Sequence, residues 1–321
     1  MLALRTALLI GGLVVAAITA AAQATSANAA VSGTALLQSG KYQDARDAFE
    51  AALHTDPADR QAQDGDVEAS EDLALQQRAA GRLVDALQAL LRGEKYVPTS
   101  ARLFYDQGIL EDEMHVYPQA LQALETAQRL HMQDPKLLYA MARVYLDQGQ
   151  LSPAAAKMTA YLHQRPDDAS AHYGLGRIFQ LGLQFAKAQA EFEQSIRLDP
   201  HQTESWFQLG DVELKQNHLD EALADFQKTL ARDPKHGGAL TESGQVLYQQ
   251  KKYQQALHFL QQAVAAAPDY QPAHYYLGLT LARLGRSADA KKELATAVKL
   301  ADKKNKEEST QYQLTLPSGS Q

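Results

Sequence analysis

The 321-residue chain contains no cysteine. That absence excludes disulfides, thiolate-bound zinc, iron–sulfur clusters, thiol catalysis and lipid attachment through a cysteine. Aromatic residues are sparse at 7%, and no dense block of positive charge occurs; the net charge is −7. Nucleic-acid binding ordinarily needs a concentrated basic surface to release phosphate counterions, so nucleic acid is not an expected partner. Beyond Ala24 no apolar run reaches the length of a bilayer span. No GxSxG, P-loop or HExxH pattern is present, and no two of the ten histidines have the close helical spacing of a metal site. No catalytic residue, metal or cofactor is therefore expected.

Hydrophobic residues make up 45% of the chain, carried mainly by alanine and leucine. With glutamine, glutamate and lysine these are strong helix formers, so the composition points to an all-α fold. The first residues are of a different material. Arg5 is followed by the uncharged apolar stretch Leu8–Ala22, and small-x-small sites stand at Ala22-Gln23-Ala24 and Ala27-Asn28-Ala29. Residues 1–24 read as a cleaved export signal. The alternative is an uncleaved inner-membrane anchor over residues 8–24, the only case in which this chain would contact a membrane. Either reading places the remainder outside the cytoplasm, in the periplasm or cell envelope.

The rest of the chain is periodic. Prolines stand at Pro98, Pro166, Pro200, Pro234 and Pro268, with every gap 34 residues or twice 34, and Met132 occupies the missing slot. An alanine recurs at Ala86, Ala120, Ala154, Ala188, Ala222, Ala256 and Ala290. Twelve residues before each comes a small residue: Ala74, Gly108, Ala142, Gly176, Gly210, Gly244 and Gly278. Gly33, Ala45 and Pro57 repeat the spacing once more, ahead of a seven-residue insertion at Arg60–Asp66. The spacing predicts helical hairpins: the small residue and the alanine meet where two helices cross, and the proline stops the second helix. Gly40, Gly149 and Gly285 suit the cap between the helices, with Ser152 and Ser287 starting the next.

The run Trp206-Phe207-Gln208-Leu209-Gly210, followed by Ala222, Phe226 and Pro234, resembles the tetratricopeptide repeat family. Gly176, Phe179, Ala188, Phe192 and Pro200 match equally well. The resemblance implies a right-handed α-solenoid of about eight hairpins at 26–59, 67–100, 101–134, 135–168, 169–202, 203–236, 237–270 and 271–304. Residues 305–321 are left as a polar, disordered tail. The first two repeats depart most from the pattern, with Ser70 standing where Trp206 stands.

The resemblance also implies a protein or extended-peptide partner bound in a concave groove lined by the first helices. Carried over position by position, the groove residues are Tyr105, Tyr139, Tyr173, Phe207 and Tyr275, with Arg143, Arg177 and Lys215. Tyrosine offers rigid amphipathic area and arginine a fork for carboxylates, so an acidic peptide is the expected occupant. The rival reading is structural: tyrosines half-buried in the hairpins and arginines paired with local acids such as Asp147. The expected function is a non-enzymatic interaction scaffold. The alternative is a non-catalytic accessory or regulatory subunit of an envelope enzyme or of a secretion or assembly complex. His172 and His274 share Trp206's position and read as hairpin-packing residues. His201 and His236 fall in inter-repeat turns and read as solvent-exposed.

Overall fold

The computed structural model describes the backbone of residues 25–315 and the side chains of residues 25–307. Residues 1–24, the expected export signal, lie outside the described residues. The chain divides into two compact units, Met1–Gln164 and Arg165–Gln321. The described residues of both are helical, without a strand.

The first unit holds α1 (25–38), α2 (Tyr42–Thr55), α3 (Arg60–Ala79), α4 (Leu83–Tyr96), α5 (Ala101–Glu113), α6 (Tyr117–Arg129), α7 (Lys136–Asp147) and α8 (Leu151–Gln164). The second holds α9 (Ala169–Leu181), α10 (Phe185–Leu198), α11 (Thr203–Lys215), α12 (Leu219–Arg232), α13 (Gly237–Gln249), α14 (Tyr253–Ala266), α15 (Gln271–Arg283) and α16 (Ser287–Thr315). Odd-numbered helices are the first of each hairpin. Within each unit a first helix packs on its own second helix and also touches the first helix of the next repeat: α3 on α5, α5 on α7, and α9, α11, α13 and α15 in series. Each unit is thus a stack of hairpins with the first helices side by side on one face, an all-α solenoid architecture.

The recurring small residues have a steric cause. A Cβ built on Gly210 would lie 2.7 Å from the Phe226 ring and 3.2 Å from the Ala222 carbonyl oxygen. On Gly176 it would meet Phe192 at 2.7 Å, and on Gly108 it would meet Leu124 at 2.6 Å and the Ala120 carbonyl at 3.0 Å. The small residue therefore admits both the alanine's backbone and the large residue four positions further along. Ala45, Ala86, Ala120, Ala154, Ala188, Ala222 and Ala256 are all fully buried. Ala222→Leu forces extra methylenes into this crossing, and a loss of about 1–3 kcal/mol is expected. Urea unfolding followed by circular dichroism checks it; an unchanged midpoint would remove the crossing from the account.

Each hairpin turns in the same way. One residue in every repeat takes a left-handed conformation: Gly40, Gly81, His115, Gly149, Leu183, Asn217, Lys251 and Gly285, with φ between 56° and 76°. The following N–H then reaches back to the carbonyl five residues earlier, as in Gln184 N to Phe179 O at 2.8 Å and Arg286 N to Leu281 O at 2.9 Å. This closes the exposed end of the first helix. Leucine bears a Cβ penalty in this region, and the Leu183 side chain is exposed. Leu183→Gly is expected to stabilise by about 0.5–1 kcal/mol, read as a higher urea midpoint; a lower midpoint would contradict it.

The second helices end at the residue ahead of the proline, in extended backbone. Asp199, for example, has φ −134° and donates its N–H to Ser195 O. Met132 lacks the proline's constraint, and there α6 closes instead with His131 at φ 62° and the Met132 N–H on Ala127 O at 3.1 Å.

Three details differ from the sequence expectations. Arg60–Asp66 is not a spacer but the first two turns of α3, started by Asp59, whose carboxylate accepts from the Ala62 N–H at 3.1 Å. Gly65 in this extension is held against the Phe49 ring. The stretch expected to be disordered from residue 305 continues α16 to Thr315, since lysine, glutamate and glutamine favour helix and no proline intervenes before Pro317. Ser152 and Ser287 lie inside the first turns of α8 and α16 rather than ahead of them. Side-chain caps are made instead by Asp59, Asp168 and His236.

Candidate functional site

The groove residues expected from sequence all lie on first helices, and the stacking of the repeats decides what each one touches. In the first unit Tyr105 on α5 is half-buried, with the Lys136 ammonium 4.9 Å from its ring centre. Tyr139 on α7 meets Tyr161 of α8 edge to face, with centroids 5.3 Å apart. Arg143, one turn along α7, donates from Nε to Asp112 Oδ2 at 2.7 Å. Asp112 is almost fully buried, so this arginine is held by α5 rather than by Asp147.

In the second unit Tyr173 lies against Phe192 with centroids 6.0 Å apart, and Arg177 reaches the Tyr173 hydroxyl at 3.4 Å. Phe207 packs on Phe226 at 5.9 Å and on His236 at 4.6 Å. Lys215 is paired with Asp211, whose carboxylate also accepts from Gln180 at 2.6 Å. Tyr275 is the most open of the aromatic set, 42% exposed, with Tyr276 beside it. Aromatic rings at one place on the first helix are thus clamped from behind by their own hairpins in three repeats. Two of the three basic residues, Arg143 and Lys215, are already engaged by carboxylates.

Three of the histidines serve the hairpins. His172 directs one ring nitrogen at Pro166 O, 3.0 Å away, and the other at Glu191, 2.6 Å away. His274 repeats this with Pro268 O at 2.9 Å and Glu293 at 2.6 Å. Trp206 donates to Pro200 O at 3.2 Å from the equivalent position. The shared position thus ties the first helix to the preceding proline turn. His236 is not solvent-exposed as expected, because its Nδ1 accepts from the Ala239 N–H and so starts α13.

The sequence reading passed over the acids of the same face. A cavity of about 310 Å³ opens between α3 and α5, over Leu90 of α4. Glu71, Asp72 and Asp106 stand around it, with Leu75 and Ile109. Glu71 and Leu75 occupy the positions held elsewhere by Tyr139 and Arg143, so the repeat register already pointed to them. Burial pushes the Glu71 carboxyl up to about 7 and raises Asp106, against the pull of nearby Arg102 and Lys136. In the second unit burial, with Asp211 nearby, lifts Glu242 to about 7.

A separate polar cluster is enclosed among α2, α3 and α4. Arg46, Glu50 and Asp66 are each at least 96% buried. Arg92 donates to Glu50 at 2.5 Å and to Asp47 at 2.8 Å. Neither Asp66 oxygen has a hydrogen-bond partner among the described residues. Among the described residues no group of three or more His, Asp or Glu side chains is arranged to hold a metal ion, and no helix is long and apolar enough to cross a membrane.

A family model described as tetratricopeptide repeat matches residues 31–101, 180–237 and 207–271, and a second of the same description matches 115–178 and 247–307. The chain belongs to the tetratricopeptide repeat family. Solved structures share the architecture. The C-terminal part of a TPR repeat-containing protein from Cytophaga hutchinsonii aligns with a TM-score of 0.60 at 16% identity, over 71% of this chain and 93% of that one. YrrB, described as a TPR protein with an unusual peptide-binding site, aligns at 0.51 and 19% identity, over 60% and 95%. MamA from Desulfovibrio magneticus RS-1 aligns at 0.50 and 19% identity, over 54% and 97%. At these identities the likeness is one of fold alone. A search of curated proteins found no match.

Proposed function

We propose that this tetratricopeptide chain is an exported, non-enzymatic interaction scaffold of the periplasm or cell envelope, which binds a peptide or partner segment on the first-helix face of its units. The observation that carries this reading is the recurrence of an aromatic ring at one place on the first helices of both units. Tyr139, Tyr173 and Phe207 are braced from behind, Tyr275 is open, Tyr105 is half-buried, and none of the five rings is fully buried. Rings held in this way give contact area at little entropic cost. YrrB, described as a TPR protein with an unusual peptide-binding site, supports a peptide as the kind of partner the architecture accepts.

The test is capture of partners from the native host by the tagged chain and by a Tyr139/Tyr173/Arg177 triple alanine, with circular dichroism to show that the variant is folded. A partner retained by the folded triple variant would sink the first-helix reading. A partner lost only from the variant supports it.

Export makes a further prediction. Ser26 is buried, and its hydroxyl donates to Asp59 at 2.7 Å and to Ala52 O at 3.3 Å. The first of these bonds holds the Asp59 carboxyl below its usual range. Cleavage after Ala24 keeps these contacts, whereas cleavage after Ala29 removes them. The mature chain is expected to begin at Thr25; intact-protein mass spectrometry of the exported form decides between the two sites and an uncleaved anchor.

A further inference from the structure

We infer that the cavity between α3 and α5 anchors a basic side chain, lysine or arginine, carried on an extended segment of the partner protein. This rests on the first-helix reading above and reverses the acidic partner expected from Arg143, Arg177 and Lys215.

The first ground is shape. About 310 Å³ accommodates one long side chain rather than a folded element. Its floor is apolar, made by the buried Leu90 and Leu110, and Leu75 at its edge is 63% exposed. Apolar walls ending in polar groups match the aliphatic stem and charged head of lysine or arginine.

The second ground is charge left over after internal pairing. The cavity's one base, Arg78, bridges to Glu113 at 2.5 Å. Glu71 is taken by Arg102. Asp106 and Asp72 make no hydrogen bond or ion pair among the described residues, although both line the cavity. Lys136, Arg102 and the cavity's own Arg78 act on Asp106 only through space, and burial outweighs them. An incoming cation supplies the counter-charge that the fold withholds. On other first helices Arg143 is matched by Asp112 and Lys215 by Asp211, while Arg177 meets only the Tyr173 hydroxyl.

The experiment uses the folded chain and a short fluorescent peptide of alternating leucine and lysine, read by anisotropy at pH 8. A peptide with glutamate in place of lysine is the control. The wild type binds the lysine peptide and not the glutamate one, and Asp106→Asn with Leu75→Ser weakens binding by about tenfold or more. Glu125→Gln, an exposed neutralisation on α6, leaves affinity unchanged, which separates the cavity from general attraction to an acidic protein. Equal binding of both peptides, equal binding by the double variant, or no binding overturns the assignment. If the Tyr139/Tyr173/Arg177 variant loses the peptide while Asp106→Asn/Leu75→Ser keeps it, the cavity assignment falls and the first-helix reading stands. If both variants keep it, both fall.

Discussion

Phe226→Ala is expected to destabilise the second unit by about 3–5 kcal/mol, the usual cost of truncating a buried aromatic. The ring is fully buried and sits where Gly210 has no side chain, with its edge 2.7 Å from the place a Cβ would occupy. It also backs Phe207, 5.9 Å away between centroids. The neighbouring helices cannot close the gap cheaply. Their approach is set where Gly210 crosses the Ala222 carbonyl oxygen, which lies 3.2 Å from the place a Cβ on Gly210 would occupy. Urea unfolding followed by circular dichroism measures the loss. A cost below about 1 kcal/mol would mean that the hairpin collapses around the space, contrary to the rigid crossing described here. In a repeat array each hairpin is stabilised by its neighbours, so the loss should also lower the cooperativity of that unit's transition.

The second large effect is on pH. Burial, with Glu50 alongside, pushes the Asp66 carboxyl up to about 7, and Arg46 and Arg92 only partly oppose it. A carboxyl raised in the folded state holds its proton more tightly there than in the unfolded chain. Its contribution to stability is therefore fully present below its ordinary value of 3.8 and is lost as pH rises through about 7. Each pKa unit corresponds to about 1.4 kcal/mol, so the part lost between pH 5 and pH 8 is roughly 2–3 kcal/mol. Asp66→Asn has no proton to lose. The stability of that variant relative to wild type is expected to rise by this amount from pH 5 to pH 8, in parallel urea titrations. Glu71, Glu94 and Glu242, each lifted to about 7 by burial, tilt the wild-type profile in the same direction. A flat difference between wild type and Asp66→Asn would show that water or rearrangement solvates the Asp66 carboxylate.

Much of the site was written in the repeat register and read with the wrong emphasis. The register placed Tyr105, Tyr139, Tyr173, Phe207 and Tyr275 at equivalent points on the first helices, and Arg143, Arg177 and Lys215 nearby. The same register placed Glu71 and Leu75, but a family pattern draws the eye to residues that match it. The state of each charge was not legible. Arg143 and Asp112 are 31 residues apart, as are Gln180 and Asp211, and nothing in either local stretch announces the pairing. The burial of Asp66 was equally hidden, because Arg60–Asp66 looked like an insertion between repeats and proved to be helix packed on α2 and α4.

What the amino-acid sequence determined by itself is the hairpin register. Gly210, Ala222 and Pro234, with their equivalents, act through backbone sterics: a Cβ that must be absent, a close crossing, an amide that cannot continue a helix. These are local requirements, so they recur at a fixed spacing and can be counted along the chain. What only the tertiary structure decided is which charges on the first helices are paired and which stay open. Electrostatics and burial are sums over neighbours from adjacent repeats. Only after stacking is Arg143 neutralised by Asp112, while Asp106 stands at a cavity with an apolar floor and makes no ion pair there.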